Sequence, residues 1–140
     1  MPQFVLALNT TTGVLELAIA QVNPLIYLKH SEWKLDRELS VQIHTCLAEF
    51  MQGYNWSDLV FVAIASGVGS FTSTRIGIVL ARTLGEQLGI PVYAISCRDV
   101  ENYCPISDQT DPIMNLLKIG CEQWSNGSSP SWSEALPLYA

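Results

Sequence analysis

The stretch from Leu59 to Pro91, LVFVAIASGVGSFTSTRIGIVLARTLGEQLGIP, constrains this chain more than any other segment. Leu59 to Ala65 is almost wholly apolar and carries Val60, Val62 and Ile64, the pattern of a strand buried on both faces of a parallel sheet. Ser66 to Thr72 is a loop of small residues. Behind it Ile76, Val79, Leu80, Thr83, Leu84 and Leu88 recur at helical spacing until Gly89, Ile90 and Pro91 end the run. The segment reads as a strand, loop and helix with a clean stop, which places the chain among α/β proteins.

The flanking segments supply the rest of a sheet. Phe4 to Leu8 is a short apolar strand, and the polar turn Asn9 to Gly13 leads into a second strand, Val14 to Ala20. Leu25 to Lys29 reads as a third. Leu35, Leu39, Ile43, Cys46, Leu47 and Phe50 then lie three or four residues apart, on one side of a helix that ends near Gly53. Val92 to Ser96 is the strand after the second helix. The order β-β-β-α-β-α-β predicts a mixed sheet with helices packed on it, as in the ribonuclease H-like and actin-like ATPase folds. Beyond Cys97 the pattern weakens to one short helix, with Asp111 as N-cap and Pro112 at its first position, and a polar loop from Trp124 to Ser133. Residues 1–106 therefore read as one domain, and residues 107–140 as a short helix and tail.

Composition narrows the function classes. Apolar residues make up 49% and charged residues 14%, the balance of a globular protein or of one with an apolar partner surface. Seven basic against thirteen acidic residues give a net charge of −6 without a Lys/Arg cluster, which argues against independent binding to a phosphate backbone. No leader pattern and no run of membrane-spanning length is present, so the cytoplasm is the expected compartment. Cys46, Cys97, Cys104 and Cys121 contain no C-x-x-C pair and read as buried free thiols.

Gly67-x-Gly69 ahead of a helix could bring backbone N–H groups to an anion, with Ser70, Thr72 and Arg75 as further donors. The third glycine of a dinucleotide fingerprint and the Gly-Lys-Ser/Thr end of a P-loop are absent. A tight turn capped by Ser70 or Thr72 is the preferred reading, and these five residues stand as a weak anion or nucleotide loop. Glu16 is the only acid read near the end of the first strand, where Asn9 stands, so no metal and no cofactor are expected. His30 and His44 lack the spacing of a metalloprotease pair, and no G-x-S-x-G elbow occurs.

Gly77-x-x-x-Ala81-x-x-x-Gly85 forms a stripe of small residues on the second helix. Helical glycine costs about 1 kcal/mol relative to alanine, so the stripe implies close packing against the helix's own sheet or against a partner. On the first helix Val41, His44, Ala48 and Met51 form a softer second stripe. Val41, His44, Ala48, Gly77, Ala81 and Gly85 are the expected partner interface.

Ser66 to Gly77 resembles the G-P-G-S-F-T-G-x-R-I-G motif of the TsaB (YeaZ) proteins. The strand from Phe4 and its turn Asn9-Thr10-Thr11 resemble their opening strand and D-T-S/T turn. Arg37-Glu38 and the helix behind it, Ile90-Pro91-Val92, Ala94-Ile95-Ser96 and, more faintly, Ala135 to Tyr139 are also similar. The resemblance implies a single actin-like ATPase (ribonuclease H-like) domain. It also implies a non-catalytic dimerisation subunit in the making of threonylcarbamoyladenosine beside the tRNA anticodon. On that reading the chain pairs through its two helices with a catalytic TsaD-type subunit, works beside a TsaE-type ATPase and meets tRNA only through the complex.

Departures from the pattern are Val68 for Pro, Ser73 for Gly, Asn9 for Asp and Leu39 for His, each of which weakens a nucleotide site more than the fold. Residues 107–140 would then be the remnant of a second domain. The alternatives are a nucleotide-binding or hydrolysing actin-like protein, and a homodimer that has left the pathway.

Overall fold

Alternation of large and small apolar residues along the central strands decides how the sheet is covered. A computed structural model describes residues 2–12, 14–67, 72–102 and 112–127, without the side chains of residues 101 and 102. The strands are β1 (Phe4–Asn9), β2 (Val14–Gln21), β3 (Ile26–Lys34), β4 (Leu59–Ser66) and β5 (Val92–Ser96). The helices are α1 (Leu39–Phe50), α2 (Thr72–Leu88), α3 (Cys97–Asn102) and α4 (Pro112–Ser125). One sheet runs in the order β3-β2-β1-β4-β5, antiparallel from β1 to β3 and parallel across β1, β4 and β5. This is the expected β-β-β-α-β-α-β mixed sheet, with two further helices behind it.

Side chains alternate between the two faces of a strand. Leu6 and Leu8 on β1, Leu15, Leu17 and Ile19 on β2, and Val62 and Ile64 on β4 meet α1 and α2 on one face. Val5 and Ala7, Ala18 and Ala20, and Phe61, Ala63 and Ala65 turn to the other, where Val100 and the α4 residues Ile113, Leu116 and Leu117 cover them. Alanine dominates the second face, so α4 comes close. A Cβ added to Gly120 would lie 2.9 Å from Phe61 Cε1 and 3.3 Å from Ala63 Cβ, which is why only glycine fits there. Phe61 meets Tyr93 edge-on at 5.1 Å between ring centroids and Trp124 at 5.9 Å.

Three differences from the sequence reading follow from packing. β3 extends to Lys34 instead of ending at Lys29, because an edge strand whose residues alternate between exposed and half-buried loses its apolar pattern. α4 is a helix of 14 residues that completes the core of the same sheet, where the sequence had set it apart as the start of a remnant. Only Cys46 is buried, while Cys97 and Cys121 are half-buried; Cys104, Asp111 and residues 128–140 lie outside the described residues.

Phe61 is the pivot of the second face. Phe61→Ala is expected to destabilise the chain by about 3–5 kcal/mol, through lost transfer energy and the cavity left behind. Urea unfolding followed by tryptophan fluorescence measures it.

Candidate functional site

Parallel strands β1 and β4 end side by side, and a crevice opens beyond their carboxyl ends, the usual binding position in an open α/β sheet. Asn9, Thr11, Thr12, Ala65, Cys97, Val100, Pro112 and Leu116 line a cleft of about 120 Å³ there. None of these described lining residues is a carboxylate. Asn9 is buried and committed to its own turn: Oδ1 accepts from the Thr11 N–H at 3.0 Å and the Thr11 hydroxyl at 2.7 Å, and Nδ2 donates to Glu16 Oε1 at 3.4 Å. An Asn whose oxygen already takes two bonds shapes the turn between β1 and β2.

Of the five loop candidates, the three that are described, Gly67, Thr72 and Arg75, do not converge. Gly67 is buried, and a Cβ there would lie 3.5 Å from both the Thr11 methyl and Thr74 Oγ1, so the residue faces the β1 turn. Thr72 and Arg75 are exposed and belong to a different surface, a groove between α1 and α2. Gly69 and Ser70 lie outside the described residues.

That groove holds about 270 Å³ and is lined by Ser40, Ile43, His44, Thr72, Arg75, Ile76, Val79, Leu80 and Thr83. Val79 of that lining is 62% exposed, and Val41, elsewhere on α1, is 69% exposed. His44 and Ala48 are exposed on α1 beside them. Val41, His44 and Ala48 face outward, whereas Met51, read as part of the same stripe, is buried in the core just past the end of α1.

The expectation for α2 requires correction. Gly77, Ala81 and Gly85 are buried, turned toward the chain's own sheet and unavailable as an outer face. The reason lies at Gly77, where an added Cβ would collide with Oγ1 of Thr10 and would sit 3.1 Å from its methyl. Thr10 in turn donates its hydroxyl to the Ser73 carbonyl at 2.7 Å, which ties the turn after β1 to the first turn of α2. With the small stripe inward, Val79 and Thr83 of the helically spaced run face solvent, while Leu80 of the same run is buried. The pair Thr10–Gly77 was the missed signal.

Burial and the neighbouring Glu122 push the Cys121 thiol up to about 11, and burial with Glu49 raises Cys46. Both thiols are held protonated near neutral pH, which opposes a nucleophilic role. Among the described residues no helix is long and apolar enough to cross a membrane.

The family described as "TsaD: tRNA N6-adenosine threonylcarbamoyltransferase" matches residues 33–117. A protein of Bacillus subtilis (strain 168) named "tRNA threonylcarbamoyladenosine biosynthesis protein TsaB" is 30% identical over 94 residues, which are 66% of this chain and 40% of that protein. The chain thus spans about two-fifths of this curated relative. In structure it is similar to YeaZ from Pseudomonas aeruginosa, with a TM-score of 0.77 and 15% identity over 99% of this chain and 100% of that one. It is also similar to Thermus thermophilus RuvC bound to a Holliday junction substrate, with a TM-score of 0.66 and 13% identity over 91% and 98%. The domain therefore has the ribonuclease H-like, actin-like α/β fold.

Two outcomes are expected. Gly77→Ala should cost about 1–3 kcal/mol by overpacking, and Thr10→Ala in the same chain should recover part of the loss, read from a double-mutant cycle of urea midpoints. For Cys121, the folded thiol titrates near 11 against an ordinary value of 9.0, so its contribution is constant below pH 9. Stability is then lost between pH 9 and 11 as the unfolded chain ionises first. Urea midpoints measured across that window should fall more for the natural chain than for Cys121→Ala.

Proposed function

The chain belongs to the TsaB (YeaZ) family, among the relatives of the tRNA threonylcarbamoyltransferases, and from that premise we propose that it is a non-catalytic partner subunit in threonylcarbamoyladenosine biosynthesis. On this reading a TsaD-type subunit docks on the outer face of α1 and α2 and performs the transfer. The observation that carries the reading is the groove between those helices, with Val79 of its lining and Val41 of α1 standing in water. Two isolated valines of this exposure invite burial, and fully burying one is worth about 1.5–3 kcal/mol.

The absence of carboxylates among the described lining residues of the strand-end cleft supports the non-catalytic part, because metal-assisted phosphoryl chemistry needs acidic ligands at such a position. The net charge of −6 supports tRNA contact through the complex instead of through this chain alone. A TsaE-type ATPase would join the same assembly.

A second reading is nucleotide binding at the strand ends. It is favoured by the buried hydroxyls of Ser66 and Thr74, which have no hydrogen-bond partner among the described residues. Calorimetric titration with ADP and magnesium decides it, and a measurable heat of binding would support that reading.

For the first reading, Val41→Glu combined with Val79→Glu should abolish co-purification with the TsaD-type subunit of the same organism. Both positions are surface sites, so stability should change by no more than about 0.5 kcal/mol. A complex that survives both charges would place docking elsewhere.

A further inference from the structure

β2 and β3 bring Glu16 beside His30 and Glu32, which lie on the next strand. The register sets Glu16 directly opposite Glu32 and Ala18 opposite His30. His30 and Glu32, two residues apart on one strand, share a face, and Glu16 joins them on it. Two carboxylates facing each other across a ladder are unfavourable unless a positive charge lies between them. His30 Nε2 lies near both, 3.3 Å from Glu16 Oε2 and 3.7 Å from Glu32 Oε1.

Hydrogen bonding accounts poorly for this arrangement. One ring nitrogen carries at most one proton and can serve only one carboxylate. Both separations also exceed the roughly 2.7–2.9 Å of a charge-assisted bond. A metal ion accounts for it better. Bonds of about 2.0–2.1 Å to nitrogen and oxygen place neighbouring ligands of a tetrahedral ion about 3.4 Å apart. The two distances lie on either side of that value, and the three donor atoms fall within 4.8 Å of one another.

We propose that Glu16, His30 and Glu32 bind a divalent first-row transition ion of the zinc type. One imidazole with two carboxylates suits such ions better than magnesium or calcium, which favour oxygen alone. The side chains range from partly buried at Glu16, 16% exposed, to open at Glu32, 57% exposed, so water completes the coordination from the solvent side. Asn9 donates from the neighbouring strand to the second oxygen of Glu16 and helps to orient that ligand. The ion would clip the edge strand β3 to β2.

Titration of the full chain with zinc alone, by calorimetry and by NMR of the imidazole nitrogens, tests the assignment. One zinc per chain should bind, shifting the His30 signals and leaving those of His44 in place, while magnesium at equal concentration gives no heat. His30→Ala and the isosteric Glu32→Gln should each weaken zinc binding by about tenfold or more, with folded spectra retained. No heat with zinc, equal affinity for magnesium, signals moving only at His44, or undiminished zinc affinity in both variants would each overturn it.

Discussion

Burial of β1 and β4 on both faces is the constraint on which the rest of this structure depends. Val5, Leu6, Ala7 and Leu8 are wholly inaccessible, as are Phe61 to Ile64 on the neighbouring strand. A sheet covered on one side only would leave the alternate residues of both strands in water. The second face is therefore closed by α4, a helix supplied from beyond β5. Its fit rests on the alanines of three strands and on Gly120, which let backbone approach backbone. The larger leucines, isoleucines and valines of the first face are met by two helices together.

Close packing at one point on the first face then sets what the outside of the molecule presents. Thr10 occupies the space that a side chain at residue 77 would take, and its hydroxyl holds the Ser73 carbonyl. This contact fixes the rotation of α2 about its axis. Gly77, Ala81 and Gly85 follow inward, and the ridge carrying Arg75, Val79 and Thr83 follows outward beside α1. The same few atoms thus link a turn at the end of a central strand to the groove through which partner docking is proposed. Local fit on the inner side produces the apolar exposure on the outer side.

Element order was readable from the sequence because each element carries its own period and its own stop. The run from Ile76 ends where expected: Gly89 takes φ +66°, and the Ile90 N–H reaches back to the Gly85 carbonyl at 3.1 Å. The outward position of Val41, His44 and Ala48 followed from the core stripe of α1 in the same way. Which stripe of α2 meets the sheet was not readable. Both stripes have helical spacing, and the choice depends on Thr10, 67 residues before Gly77. The Glu16, His30 and Glu32 group was hidden for a related reason, since it exists only once the register of β2 on β3 is fixed. The second-face role of α4 did leave a trace. Leu6-Ala7-Leu8, Leu17-Ala18-Ile19-Ala20 and Val62-Ala63-Ile64-Ala65 repeat one large-small alternation, which marks one face of the sheet as prepared for a closely seated helix.

The central claim is that α2 turns its small residues inward and offers Val79 to a partner. Thiol labelling along that helix tests it most directly, in chains whose four native cysteines are replaced by alanine and which carry a single cysteine at position 79 or 81. Val79→Cys should react rapidly in the free chain and become protected when a TsaD-type subunit is added, whereas Ala81→Cys should stay unreactive in both states. Rapid labelling of Ala81→Cys in the free chain, or no protection of Val79→Cys in the complex, would contradict the account.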